Sequence, residues 1–93
     1  VEVIVQFLLA ALAIRRGSLQ VDFWVAATVE VRVEVFDMLG RPVRLLREGT
    51  ESSGYHSVLW DGTDASGRRL KRGTYLLAIF TRGAVARHKV TLG

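Results

Sequence analysis

The stretch of residues 31–58 constrains the fold more than any other part of the sequence, because it contains a strand pattern, a tight turn and a second strand pattern in succession. Val31, Val33 and Val35 alternate with charged residues, and this period of two is typical of a half-buried β-strand. One face of the predicted strand is expected to pack in a core and the other to meet water. The stretch therefore predicts a protein built from β-sheets.

A tight turn follows this strand at residues 37–40, which read DMLG. Asp37 stands at the first position and Gly40 at the fourth, where a type I turn uses an Asx hydrogen bond and a residue without Cβ strain. The apolar pattern resumes at Val43, and Pro42, the only proline, occupies the start of the returning strand, where a missing N–H costs least. These residues predict an antiparallel hairpin.

Turn-rich segments divide the rest of the chain into further strands. Residues 47–54 are mostly polar and predict a connection, and residues 61–67 (DGTDASG) have a composition typical of an exposed loop. Strand patterns cover four more segments, at residues 19–27, 55–60, 74–81 and 85–92. The sequence therefore predicts an all-β, antiparallel β-sandwich of about seven strands.

The predicted fold depends on a small set of turn and core residues. The turns are assigned to six residues: Asp37, Gly40, Asp61, Gly62, Gly67 and Gly73. Two aromatic residues, Trp60 and Phe36, are predicted to lie in the core. Alternation in the segment 55–60 places Val58 on the same inward side as Trp60.

Size and charge favour one small domain with a solvated surface. A chain of 93 residues buries roughly 60 to 65% of its unfolded surface, which suffices for one core. There is no cysteine, so disulfides and thiolate metal sites are excluded. The net charge of +4 comes from scattered arginines, and the one basic run, Arg68 to Arg72, could hold phosphates or an acidic partner. Because no aromatic residue interleaves with this run, we predict an exposed hairpin flank and no nucleic-acid binding.

An unusually apolar segment occupies residues 3–14, where Gln6 is the only polar residue. At twelve residues it is shorter than the roughly 20 that a transmembrane helix needs, so membrane contact is expected only indirectly. Two secondary structures are compatible with this segment. One is a strand over residues 1–9, favoured by the alternation of Val1, Val3, Val5 and Phe7; the other is a helix over residues 7–14, favoured by its leucine and alanine content. We predict the strand, either as an extra strand of this chain or donated to a neighbour. Residues 1–18 are accordingly separated from a sandwich over residues 19–93.

No residue pattern in the sequence predicts catalysis or a bound metal. Asp61, Asp64 and Ser66 could present oxygens to calcium, but six or more ligands are needed, and turn capping is the preferred interpretation. His56 and His88 are far apart and lack a metal-ligand pattern. No nucleophile elbow or paired carboxylates are present. We therefore predict that the protein is not an enzyme and uses no cofactor.

Three segments together resemble a known family of domains. They are VEVFDMLGRPV at residues 33–43, GYHSVLWDGTDASG at residues 54–67, and GTY at residues 73–75. This order is similar to the immunoglobulin-like domain shared by flagellar hook-capping proteins and by the C-terminal sorting domains of type IX secreted proteins. The resemblance extends over residues 19–92 and implies a non-enzymatic, fibronectin III-like sandwich that is located outside the cytoplasm or at the cell surface.

Three functions from different classes are open at this point. The first is an extracellular protein-interaction module for surface sorting, anchoring or assembly, with a carrier protein or secretion machinery as partner. The second is a self-assembling subunit of a surface filament, in which the N-terminal strand pairs with an identical subunit by β-augmentation. The third is a carbohydrate-binding domain, which would need Tyr55, Trp60 and Tyr75 exposed on one face. We favour the first two, because alternation places Trp60 inward.

Overall fold

The computed structural model describes residues 7–15 and 18–93, and these residues form two antiparallel sheets. Seven strands are present in this part of the chain: β1 (Phe7–Arg15), β2 (Ser18–Val25), β3 (Val29–Phe36), β4 (Pro42–Glu51), β5 (Gly54–Trp60), β6 (Gly73–Thr81) and β7 (Ala84–Leu92). The order is β1-β2-β5 in one sheet and β4-β3-β6-β7 in the other. The predicted antiparallel sandwich of about seven strands is confirmed.

Strand β3 is one of the two inner strands of the four-stranded sheet, and it pairs with β4 on one side and with β6 on the other. Val31, Val33 and Val35 are buried, and the residues between them are exposed or half-buried. Two register shifts interrupt the β3–β4 ladder, between Val33 and Glu34 and between Val35 and Phe36. Such bulges increase local twist, so β4 departs from a flat edge.

The core lies between the two sheets and is built from the inward residues of five strands. It contains Leu19, Val21, Phe23, Val25, Val31, Val33, Val35, Val58, Trp60, Tyr75, Leu77, Ile79, Val90 and Leu92. Trp60 is the largest of these side chains and is 1% exposed. Burial of this apolar surface is the main favourable contribution to folding.

The assignment of Phe36 to the core requires correction. Phe36 is half-buried and is not a member of the core cluster. It follows the buried Val35 directly, so the alternation of the strand turns its ring to the outer face of the four-stranded sheet. There it meets Phe80 of β6, with 6.1 Å between the ring centroids in an edge-to-face arrangement.

The polar connection predicted at residues 47–54 is largely strand. Strand β4 continues to Glu51, and Glu48, Thr50 and Glu51 pair with Arg32, Glu30 and Val29 of β3. Polar side chains are compatible with this position because β4 lies at a sheet edge, where part of each residue faces water. The connection to β5 is therefore confined to residues 52–53.

The described part of the apolar N-terminal segment is a strand, so the helix over residues 7–14 is wrong. Strand β1 runs antiparallel to β2, with Phe7 opposite Val25 and Leu12 opposite Gln20. Val1, Val3 and Val5 lie outside the described residues, and Phe7 is the first residue of β1. Since β1 pairs with β2 of the same chain, this strand belongs to the three-stranded sheet and lies at its edge.

Candidate functional site

The turn after β3 is formed by the side chain of Asp37. Its Oδ1 accepts hydrogen bonds from the backbone N–H groups of Leu39 (2.9 Å) and Arg41 (3.0 Å), and its Oδ2 accepts one from Arg41 Nε (2.7 Å). The Gly40 N–H donates to the Asp37 carbonyl over 3.0 Å, and Gly40 has φ +84°. The hydrogen bond from the Arg41 N–H is the main cause that lowers the pKa of Asp37. The residues predicted for this turn thus lie in it.

The loop between β5 and β6 repeats this chemistry twice. Asp61 Oδ1 accepts hydrogen bonds from the N–H and the hydroxyl of Thr63, over 3.1 and 2.6 Å. Asp64 Oδ1 accepts three, from the N–H and hydroxyl of Ser66 and from the N–H of Arg68. The bonds from the Thr63 and Ser66 side chains are the main causes that lower the pKa of Asp61 and of Asp64. Both carboxylates therefore serve their own turns.

Two of the predicted glycines lie inside this loop, and a third begins the next strand. Gly62 is buried with φ +79°, and Gly67 has φ +87° with its N–H donating to the Asp64 carbonyl over 3.0 Å. Gly73 is the first residue of β6 and has φ +148°. A positive φ of this kind is accessible to glycine without a steric penalty.

The same loop is attached to the core and to β4. The indole N–H of the buried Trp60 donates to the Thr63 carbonyl over 3.0 Å, and the Trp60 ring packs edge-to-face on Tyr75 at 5.6 Å. Arg44 Nη1 donates to Thr63 Oγ1 (2.6 Å) and to the Asp64 carbonyl (2.9 Å). These contacts hold residues 61–67 against the end of the sandwich, while Asp61 and residues 65–67 are exposed, as the composition predicts.

A groove of about 430 Å³ lies where this loop meets the turn after β3. We call it the basic groove, and its lining consists of Asp37, Arg41, Val43, Asp64, Arg68, Arg69, Leu70, Lys71 and Tyr75. Four of these residues are cationic and two are anionic. The basic run predicted as a hairpin flank thus forms one side of a concave surface. Arg41 reaches the groove from a separate turn, so no pattern within the basic run indicates that it belongs to the same surface.

A second surface with unusual chemistry is the outer face of the four-stranded sheet. The Phe36 and Phe80 rings lie there, and the Arg32 guanidinium is 4.4 Å from the centroid of the Phe80 ring. A small cavity of about 220 Å³ is lined by Phe36, Gly40, Leu76, Ala78, Phe80 and Arg87. The interaction of a guanidinium with the face of an aromatic ring is favourable, and the methylene groups of the arginine side chain cover apolar surface.

The aromatic residues considered for carbohydrate binding do not share a face. Tyr55 is 77% exposed on the outer side of the three-stranded sheet, whereas Trp60 and Tyr75 are buried in the core. Tyr55 pairs with Trp24 across the β2–β5 ladder, with 6.5 Å between the ring centroids. The three-residue platform that this function required is not formed.

The two histidines lie apart, as expected from their positions in the sequence. His56 stacks on Phe23, and its Nδ1 is 3.2 Å from Glu51 Oε1. His88 is exposed in β7. Within residues 7–15 and 18–93 no group of three or more His, Cys, Asp or Glu side chains is arranged to hold a metal ion. The same residues include no helix long and apolar enough to cross a membrane.

Comparisons with known proteins agree with the predicted resemblance. A family model described as the FlgD Ig-like domain matches residues 14–83. A crystal structure of FlgD from P. aeruginosa superposes with a TM-score of 0.64 at 27% sequence identity. The match covers 81% of this chain and 60% of that chain, so this chain spans less than two thirds of the length of that protein. A search of curated proteins gave no match.

Proposed function

The chain belongs to the FlgD Ig-like domain family, and from this premise we propose that it is a non-enzymatic protein-interaction module in an extracellular assembly of the flagellar hook-cap type. The observation that carries the proposal is the family match over residues 14–83. This match favours a role in assembly over a role as a sorting or anchoring tail. The partners are other protein chains, and the location is the cell surface or beyond it.

The surface of the sandwich supports a binding role in preference to a catalytic one. The described carboxylates with lowered pKa values, Asp22, Asp37, Asp61 and Asp64, each accept hydrogen bonds from nearby side-chain or backbone groups. They therefore stay ionised near pH 7 with no proton to donate, and their oxygens are engaged by neighbouring groups. The basic groove and the Phe36–Phe80 face instead offer charge and apolar area to a partner.

A domain exchange tests this function directly. The immunoglobulin-like domain of a bacterium's own hook-capping protein is replaced by this chain, and completed hooks are counted by electron microscopy. We expect hooks to form in cells with the exchange and not in cells whose hook-capping protein lacks the domain. Absence of hooks, although the exchanged protein is exported and its domain is folded, would contradict the proposal. An exchange with an unrelated β-sandwich of similar size is the control.

A second function is favoured by the position of β1. This nine-residue strand lies at the edge of the three-stranded sheet and pairs on one side with β2. The backbone groups on the open side of an edge strand can pair with another chain. We propose as the alternative that β1 pairs with an identical subunit, either by exchange of the strand or by addition to its open edge, and so builds a filament.

A cross-strand disulfide distinguishes exchange of β1 from pairing within one chain. Leu12 and Gln20 are directly opposite each other, and the chain has no cysteine of its own, so a Leu12→Cys/Gln20→Cys variant contains one possible bridge. Pairing within the chain gives an oxidised monomer on a non-reducing gel. Exchange between chains gives a ladder of covalent multimers. Each single-cysteine variant, which can form dimers but no ladder, is the control.

Addition at the open edge needs a different measurement. Sedimentation velocity of the unmodified chain over a range of concentrations would show growing species if β1 edges pair between subunits. An oxidised monomer of the double-cysteine variant that stays monomeric at every concentration would contradict the filament in both forms.

A further inference from the structure

The basic groove has more positive charge than its own carboxylates neutralise. Arg41 pairs with Asp37 over 2.7 Å, and Arg68 pairs with Asp64 over 3.6 Å. In the part of the chain that the structure describes, no carboxylate oxygen lies within 4.0 Å of the charged nitrogens of Arg69 or Lys71. Two positive charges on one side of the groove are therefore available to a partner.

The backbone that bears these two charges is held in place. The Leu70 N–H, between them, donates to the Gly62 carbonyl over 2.9 Å. The Tyr75 hydroxyl donates to the Lys71 carbonyl over 2.6 Å, and Arg69 Nη1 donates to the Asp61 carbonyl over 3.0 Å. A preformed arrangement loses less conformational entropy when a partner binds than a flexible one does.

Apolar residues lie beside the free charges. Val43 and Leu70 are half-buried and pack against the core, and both line the groove together with the buried Tyr75. A partner that fits this surface needs acidic groups for Arg69 and Lys71 and an apolar side chain for the strip between the two turns. An extended peptide points every second side chain to the same side, so acidic and apolar residues placed two positions apart face the groove together.

We propose that the basic groove binds an acidic, extended segment of a partner protein, with carboxylates on Arg69 and Lys71 and an apolar side chain against Val43 and Leu70. The inference deepens the proposed function, on which it rests for the class of partner.

Nucleic acid fits the groove less well than an acidic peptide does. A nucleic-acid backbone has a charge at every nucleotide and brings some of them next to Asp37 or Asp64, whereas a peptide can space its carboxylates. The one aromatic residue of the lining, Tyr75, is 8% exposed and offers no free ring face on which bases could stack.

The test measures binding of a fluorescein-labelled ten-residue peptide, in which glutamate and leucine alternate over the odd positions and serine occupies the even ones, by fluorescence anisotropy on the whole chain. We expect saturable binding that weakens as salt is added, because the charges are exposed to solvent. An Arg69→Glu/Lys71→Glu variant is expected to bind about tenfold more weakly or worse. An Arg82→Glu/Lys89→Glu variant, which changes the net charge equally at two exposed residues outside the groove, is expected to bind within about twofold of the unmodified chain.

Four results would overturn the inference. They are no binding of the glutamate peptide, equal binding of a peptide with glutamine in place of glutamate, equal loss in both charge-reversal variants, and tighter binding of a single-stranded oligonucleotide that requires Arg69 and Lys71. Thermal unfolding of each variant confirms that it is folded. Because the peptide assay does not depend on hooks, a failed domain exchange with normal peptide binding contradicts the proposed function alone, and the reverse contradicts the groove alone.

Discussion

The turn after β3 and the loop between β5 and β6 use the same local chemistry but differ in what holds them. In both, an aspartate accepts N–H groups two and four residues later, and a glycine adopts a similar positive φ, +84° at Gly40 and +87° at Gly67. The loop is also bonded to Trp60 and Arg44, whereas the hydrogen bonds of Asp37 stay within residues 37–41. Local chemistry therefore sets the shape of both turns, and attachment to the core distinguishes them.

Replacing the core anchor of the loop is expected to have the largest effect. Trp60→Ala removes a fully buried side chain and the donor to the Thr63 carbonyl, so the free energy of unfolding should fall by about 3–5 kcal/mol. Leu39→Ala, at the tip of the other turn where the side chain is 78% exposed, should change it by less than about 0.5 kcal/mol. Urea unfolding of both variants provides the measurement.

Loss of Trp60 can prevent folding altogether, so a milder variant accompanies it. Trp60→Phe keeps a ring against Tyr75 and removes the indole N–H, and we expect a cost of about 1–3 kcal/mol. Similar costs for Trp60→Phe and Leu39→Ala would show that the loop is not anchored through Trp60.

Arg44, the second anchor of the loop, can be compared with Arg41 in the turn after β3. Arg44→Met keeps the apolar stem but removes the hydrogen bonds to Thr63 and Asp64, and should cost about 1–2 kcal/mol. Arg41→Met removes an ion pair in which the arginine side chain is 71% exposed, and should cost about 0–1 kcal/mol. Chemical denaturation distinguishes the two, and an Arg41→Met cost equal to or above that of Arg44→Met would contradict the comparison.

Substitution of Gly40 and of Gly67 should lower the stability by similar amounts, because the strain that a side chain adds there is local. Gly40→Ala and Gly67→Ala both place a Cβ on a backbone with positive φ, and in neither case does the added atom meet another atom within 4 Å. Each substitution should therefore cost about 1 kcal/mol, from the backbone conformation alone. A much larger thermal destabilisation at Gly67 would show that the anchors of the loop add strain there.

The smallest expected effect is on the dependence of stability on pH. Folding lowers the pKa of Asp37 and of Asp61 from 3.8, so their contributions are fully present above that value and are lost as the pH falls below it. Asp37→Asn and Asp61→Asn should each reduce the loss of stability between about pH 5 and about pH 2. Urea midpoints across this range would contradict this expectation if neither variant differed from the unmodified chain.

The sequence could predict the parts of the fold that depend on neighbouring residues. The alternation of Val31, Val33 and Val35 determines the strand and its buried face, because side chains of a strand point to opposite sides in turn. The same rule turns Phe36 to the outer face, because it follows the buried Val35 directly, and the prediction that Phe36 lies in the core is wrong for this reason. The polar residues at the end of β4 resemble a connection in sequence, because composition alone does not distinguish an edge strand from a loop.

The candidate site could be predicted only in part. The basic run was visible as consecutive residues, but the basic groove also needs Arg41 and Val43, which come from a hairpin more than twenty residues away in the chain. The attachment of the loop through Arg44 was invisible for the same reason. No local pattern specifies which distant turn a loop will contact.

The sequence by itself determined the strand period, the two aspartate turns and the inward position of Trp60, since each depends on covalent geometry and on hydrogen bonds within a few residues. The tertiary structure alone decided that β2 pairs with both β1 and β5, and that two separate turns enclose one groove. Those outcomes depend on how the whole chain buries its apolar faces against one another, and this is a property of the folded molecule that no single segment contains.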